Sequence, residues 1–191
     1  MSVLQWYPTG HFTFLPIHAA GCYDNDLVIE CAFDYFISSY IPTIGALLAP
    51  PPVPASHPFK MMVVIQSQGL AFKELNNIQR HVSSDALVKF GVPGAVADVE
   101  AVASRLSEVS IVHFTCNGKQ DRLEPIKSGL ELDGGFLPVL RIMKEKIPNG
   151  SLAFLCACET MMDDGVLPDE AMSLGASLLF SGFHSVITVM W

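Results

Sequence analysis

Ile111-Val112-His113-Phe114-Thr115-Cys116-Asn117-Gly118, matched further along by Leu152-Ala153-Phe154-Leu155-Cys156-Ala157-Cys158-Glu159-Thr160, decides how this chain is read. Each segment is an apolar run that breaks into polar residues, and the first closes on a glycine. Runs of this kind read as buried parallel strands that deliver side chains to the carboxyl edge of a sheet. In open α/β folds that edge carries the chemistry.

Working outward, Met61-Met62-Val63-Val64-Ile65 is a β-branched apolar run, and Ala71, Leu75, Ile78 and Val82 then recur at helical spacing, which together make a βα unit. Ala86 to Phe90 reads as the next strand, and Ala95, Val99, Val102 and Leu106 mark one face of a helix that leads into the strand at Ile111. A strand at Gly129 to Leu132 and a helix carrying Phe136, Leu140, Met143 and Ile147 precede the Cys158 strand. Pro168, with Asp169 and Glu170 in a positive first turn, opens a helix bearing Ala171, Leu174, Gly175 and Leu178 before the last strand, Val186 to Trp191. Repeated βα alternation predicts an α/β fold, a largely parallel sheet with helices on both faces. Residues 1–48 read instead as a strand-rich entry segment with turns at Pro8-Thr9-Gly10 and Gly21. The five prolines between Ala49 and Pro58 remove backbone donors and make that stretch a surface loop.

At 191 residues, half of them hydrophobic, the chain is long enough for one sizeable core. No uninterrupted apolar stretch approaches the roughly 20 residues that span a bilayer, and Met1 to Pro8 has neither a basic start nor a long apolar run. No membrane association is expected, and the default location is intracellular, in the cytoplasm. A net charge of −8 with only 11 Lys and Arg residues disfavours nucleic acid and anionic lipid as partners. Five cysteines, an odd number, fit reduced thiols better than a disulfide framework.

With Leu167-Pro168-Asp169-Glu170-Ala171 and the closing Gly182-Phe183-His184-Ser185-Val186-Ile187-Thr188-Val189-Met190-Trp191, the two strand segments resemble the CHAT domain, a caspase-like cysteine peptidase module related to caspases and separases. Upstream, Trp6-Tyr7-Pro8-Thr9-Gly10, Leu15 to Gly21 and Ser38 to Thr43 resemble the version of the domain found in many large fungal proteins. The resemblance covers nearly the whole chain and implies one partial domain over 1–191, shortened at both ends. Its parts are the entry segment 1–48, the proline-rich loop 49–58 and a caspase-like βα core over 59–191. In that family the first strand ends Cys-His-Gly and the second Ser-Ala-Cys, followed by Gln or Glu and Thr. By position Cys158 then matches the nucleophile, Asn117 occupies the place of the dyad histidine, and Gly118 supplies a backbone amide near the oxyanion. An ordinary post-strand turn is the other reading of Gly118.

A cysteine hydrolase needs a titratable ring to lower the thiol pKa and later to protonate the leaving amine. Asn117 hydrogen-bonds but takes no proton, and the loss of acid–base help costs about 10²–10⁴-fold. His113 is four strand residues from Asn117, about 13 Å, and reads as a core histidine. His18 and His184 have no spacing that points to Cys158. Cys156 and Cys158 share strand parity and, with Cys116 from the neighbouring strand, offer three thiols on one edge. A zinc site asks for a fourth ligand and looser spacing, so no metal is expected; no Walker loop or dinucleotide fingerprint is present, and no cofactor is expected. Oxidation or glutathionylation is a further fate for these thiols. The acidic residues Asp163, Asp164, Asp169 and Glu170 read as helix-dipole partners and solvated charge, with recognition of a basic substrate side chain as the sharper alternative.

The expectation is therefore a catalytically impaired caspase-like module that binds a peptide or protein partner, with a further partner covering the terminal strand. The alternative is an active cysteine endopeptidase using Cys158 with a histidine supplied from elsewhere.

Overall fold

A computed structural model describes residues 1–24, 27–48, 58–66, 71–119, 121, 124–156 and 174–188. They fall into two compact units, the first holding the described residues up to Leu48 and the second those from Pro58 onward. Cys158, Pro168 and the acidic residues 163, 164, 169 and 170 lie outside the described residues.

The first unit is built from β1 (Ser2–Trp6), β2 (Gly21–Asp24), β3 (Leu27–Cys31) and β4 (Phe36–Tyr40). β1 pairs in parallel with β4, and β2 pairs antiparallel with β3, giving two separate two-stranded sheets. His18 is tied to β4, its Nδ1 lying 2.8 Å from the Tyr40 hydroxyl while its backbone N–H donates to the same oxygen at 3.0 Å. Cys31 is the one fully buried apolar residue among those described in this unit, whereas Val3, Phe12, Ile37 and Ile44 are all more than half exposed.

The second unit contains the apolar runs that the sequence makes into strands. β5 (Met61–Ile65) leads to α1 (Ala71–Gln79) and β6 (Leu87–Phe90), and α2 (Val99–Arg105) leads to β7 (Ile111–Thr115). β8 (Asn117–Lys119), β9 (Gly129–Leu132) and β10 (Gly135–Pro138) follow, then α3 (Val139–Met143), β11 (Leu152–Leu155), α4 (Leu174–Ser181) and β12 (Ser185–Thr188). Five of these strands form a sheet in the order β12-β11-β7-β5-β6, parallel at every pairing. The α/β architecture expected from the alternation is the one present.

Alternate strand residues supply two apolar clusters, as parity requires. Val63 and Ile65 pack with Ala71 and Leu75 of α1 and with Leu87. Met62, Val64, Val112, Phe114, Ala153 and Leu155 form the larger cluster with Val102 of α2, Ile142 of α3 and Leu178 of α4. Helices thus cover both faces, α1 on one and the other three on the opposite side. Asp98 caps α2, its Oδ1 accepting from the backbone N–H groups of Glu100 and Ala101 at 3.1 and 3.0 Å.

Two readings of the sequence need correction. The helix expected through Phe136, Leu140, Met143 and Ile147 is only Val139–Met143; Phe136 lies on β10 and Leu140 is exposed, while Val139 and Ile142 are the buried pair. The cause is a hairpin, β9 pairing with β10 across the two-residue turn Asp133-Gly134, with β8 on the far side of β9. This antiparallel three-stranded sheet lies outside the βα alternation, and Gly118 sits within it, buried and opposite Leu130, not in a turn. The second correction concerns the thiols, as the site shows.

Candidate active site

Strand order places the crevice. From β5 the chain moves to β6 at one end of the sheet, then crosses back to β7 on the other side of β5, so the winding reverses between β5 and β7. Ligands bind at such a switch point, beyond the carboxyl ends of the two strands. Gln66 emerges there from β5 and Asn117 from β7. They are joined directly: the Gln66 backbone N–H donates to the Thr115 carbonyl at 2.9 Å, and the Asn117 backbone N–H donates to Gln66 Oε1 at 3.3 Å. The Asn117 side chain is exposed at this edge.

Beneath the edge, on the α1 face, three polar side chains gather around one carboxylate. Glu74 Oε2 accepts from Thr115 Oγ1 at 2.8 Å and from His113 Nε2 at 3.0 Å, and its Oε1 accepts from Cys156 Sγ at 3.7 Å. Burial works to raise the Glu74 carboxyl, but the hydrogen bonds from His113 and Thr115 and the proximity of the imidazole outweigh it, so the group is held below its ordinary value. His113 is buried and stacks on Phe154 of β11, ring centroids 4.8 Å apart and 17° from parallel. It is a core histidine, satisfied by Glu74 and set two residues below the end of β7.

Glu74 was not singled out by sequence reasoning. Its signal was present, since it lies on the stripe formed by Ala71, Leu75 and Ile78, where a charged residue among apolar ones implies a buried partner.

Cys116 and Cys156 do not share one surface, and Cys158 lies outside the described residues. β11 pairs with β7 in the register Phe154↔His113 and Leu155↔Phe114, and the Cys156 N–H continues the ladder by donating to the Phe114 carbonyl at 2.8 Å. Cys156 therefore falls beside Thr115 and faces α1, whereas Cys116 belongs to the large cluster on the opposite side of the sheet. Burial, followed by the nearby Cys156 and Glu131, pushes the Cys116 thiol up to about 12, which leaves it protonated and unreactive at neutral pH.

The remaining histidines described in this unit sit away from the carboxyl edge. His184 immediately precedes β12, whose first residue pairs with Leu152 at the amino edge, and its Nδ1–H donates to the Gly150 carbonyl at 2.7 Å. His81 follows α1 on the return toward the amino edge, where Leu87 pairs with Met61. A shallow cleft flanks the switch point on the β6 side, lined by Phe72, Val92, Pro93, Val96 and Asp133.

A family model described as the CHAT domain matches residues 3–191. The chain belongs to the CHAT family. Its five-stranded parallel sheet fits the caspase-like α/β fold of that cysteine peptidase family, and no curated protein matches the chain. Within this CHAT fold Asn117 and Gly118 begin the strand β8 that leaves the sheet edge, with Asn117 opposite Glu131. No described helix is long and apolar enough to cross a membrane.

Proposed function

We propose that this CHAT chain is a catalytically impaired caspase-like module, acting inside the cell by binding a peptide or protein partner in an interaction or regulatory role. The sequence supports this reading: in the resemblance of Cys116-Asn117-Gly118 to the family's Cys-His-Gly, an amide, Asn117, falls at the position of the general base. A thiol at Cys158 then has no ring beside it in the motif to take its proton, and the leaving amine has no acid. Asn117 is exposed at the switch point, so the crevice keeps its recognition surface while losing proton transfer. β12, one of the two edge strands of the sheet among the described residues, offers a backbone edge as the place where a partner strand adds.

Restoring the base tests this. Asn117→His should confer cleavage of a randomised peptide library that Cys158→Ser then abolishes, against a wild type at background. No gain in the restored protein would sink the assignment of Asn117 and Cys158 as a dyad. Wild-type cleavage that depends on Cys158 would instead identify a working endopeptidase whose base comes from elsewhere.

A further inference from the structure

We propose that Glu74 is a positioning residue that holds Cys156 as a protonated hydrogen-bond donor and so keeps that thiol from acting as a nucleophile.

The geometry is that of a fixed carboxylate with one oxygen committed to each strand. Oε2 is held by Thr115 and His113 of β7, and this anchoring presents Oε1 to the Cys156 thiol at the end of β11. A thiol in that place satisfies the carboxylate by donating, while a thiolate would set two negative charges against each other in a partly buried site. Among the described residues, the titratable groups that face Glu74 are His113 on β7 and Cys156 after β11, and the Cys116 thiol lies near enough to Cys156 for their charges to interact. His113 is fully engaged between the carboxylate and the Phe154 ring, on the side of Glu74 away from the thiol's own oxygen. Cys116 offers no competing nucleophile, being buried on the other side of the sheet. The device also fastens β11 to β7 two residues before Cys158, since one side chain spans both strand ends.

Site-resolved alkylation of the full chain with iodoacetamide at pH 7.5, read by peptide mass spectrometry, tests the proposal. Glu74→Gln keeps an acceptor oxygen and removes the charge. Cys156 should then be alkylated about tenfold faster, a shift worth about one pH unit of thiol ionisation, with Cys158 unchanged within twofold. An unchanged Cys156 rate in a variant that melts like wild type overturns the proposal. Equal acceleration of Cys116, Cys156 and Cys158 also overturns it, because that pattern reports general loosening. Should Glu74→Gln fail to melt cooperatively, the wild-type pH profile decides. The Cys156 midpoint should lie at least about one unit above that of N-acetylcysteine measured alongside, and a midpoint at or below it overturns the proposal.

Discussion

Glu74 and Thr115 are joined by a 2.8 Å hydrogen bond that ties the first turn of α1 to the carboxyl end of β7. The same carboxylate satisfies His113, which is only 8% exposed. Replacing Glu74 with Ala leaves a buried donor unmatched, and should cost about 1–3 kcal/mol in urea denaturation. The pH dependence has a definite sign. A carboxyl held below its ordinary value in the folded chain contributes stability that is present above its unfolded pKa and is lost as pH falls through the folded one. Wild type should therefore lose its advantage over Glu74→Ala progressively below about pH 4.5. Two curves that stay parallel from pH 7 to pH 3 would mean that the carboxylate contributes nothing to folding.

Gly91 follows β6 with a φ of +79°, and a Cβ built there would lie 1.7 Å from the Ile65 carbonyl oxygen. Backbone atoms cannot yield as a flexible side chain does. Gly91→Ala should destabilise the chain by about 2–4 kcal/mol, and because Ile65 leads into Gln66, it should also disturb the support of Asn117. A change under about 0.5 kcal/mol on thermal melting would contradict the close approach.

The first unit is poor in buried apolar surface. Two-stranded sheets are marginal in water, and a parallel pair normally needs both faces covered. A peptide of residues 1–48 should therefore show no cooperative melt by circular dichroism. A sharp transition in that peptide would show that its short strands hold together without further cover.

What could be read from the sequence was whatever depended on local pattern. The runs at Met61, Leu87, Ile111 and Leu152 are short, apolar and bounded by turns, and the α1 stripe Ala71, Leu75, Ile78 repeats at the helical period, so a largely parallel α/β sheet follows from periodicity alone. The β8–β10 sheet was missed for a tertiary reason. Phe136 and Leu140 happen to fall at helical spacing, yet the pairing of β10 with β9 claims Phe136 before a helix can form. Asp133-Gly134 between apolar runs was the available hairpin signal. The thiols were grouped by their nearness to one sheet edge. Parity along β7 alone separates Cys116, in line with Val112 and Phe114, from His113 and Thr115, but placing Cys156 with the latter pair needs the β7–β11 register. The apolar stripe signals that Glu74 has a buried partner, but its partners lie 39 to 82 residues from it in sequence, and no local pattern identifies them.

In the proposed function Asn117 leaves Cys158 without an activating base, a claim that the alkylation rate of Cys158 against pH decides. With Cys116 and Cys156 replaced by Ser, the wild-type background should give a midpoint near that of an ordinary cysteine, about 8.5, and Asn117→His should move it lower. A Cys158 thiolate that reacts well below pH 8 with Asn117 in place would contradict the claim and identify an activating group supplied from elsewhere.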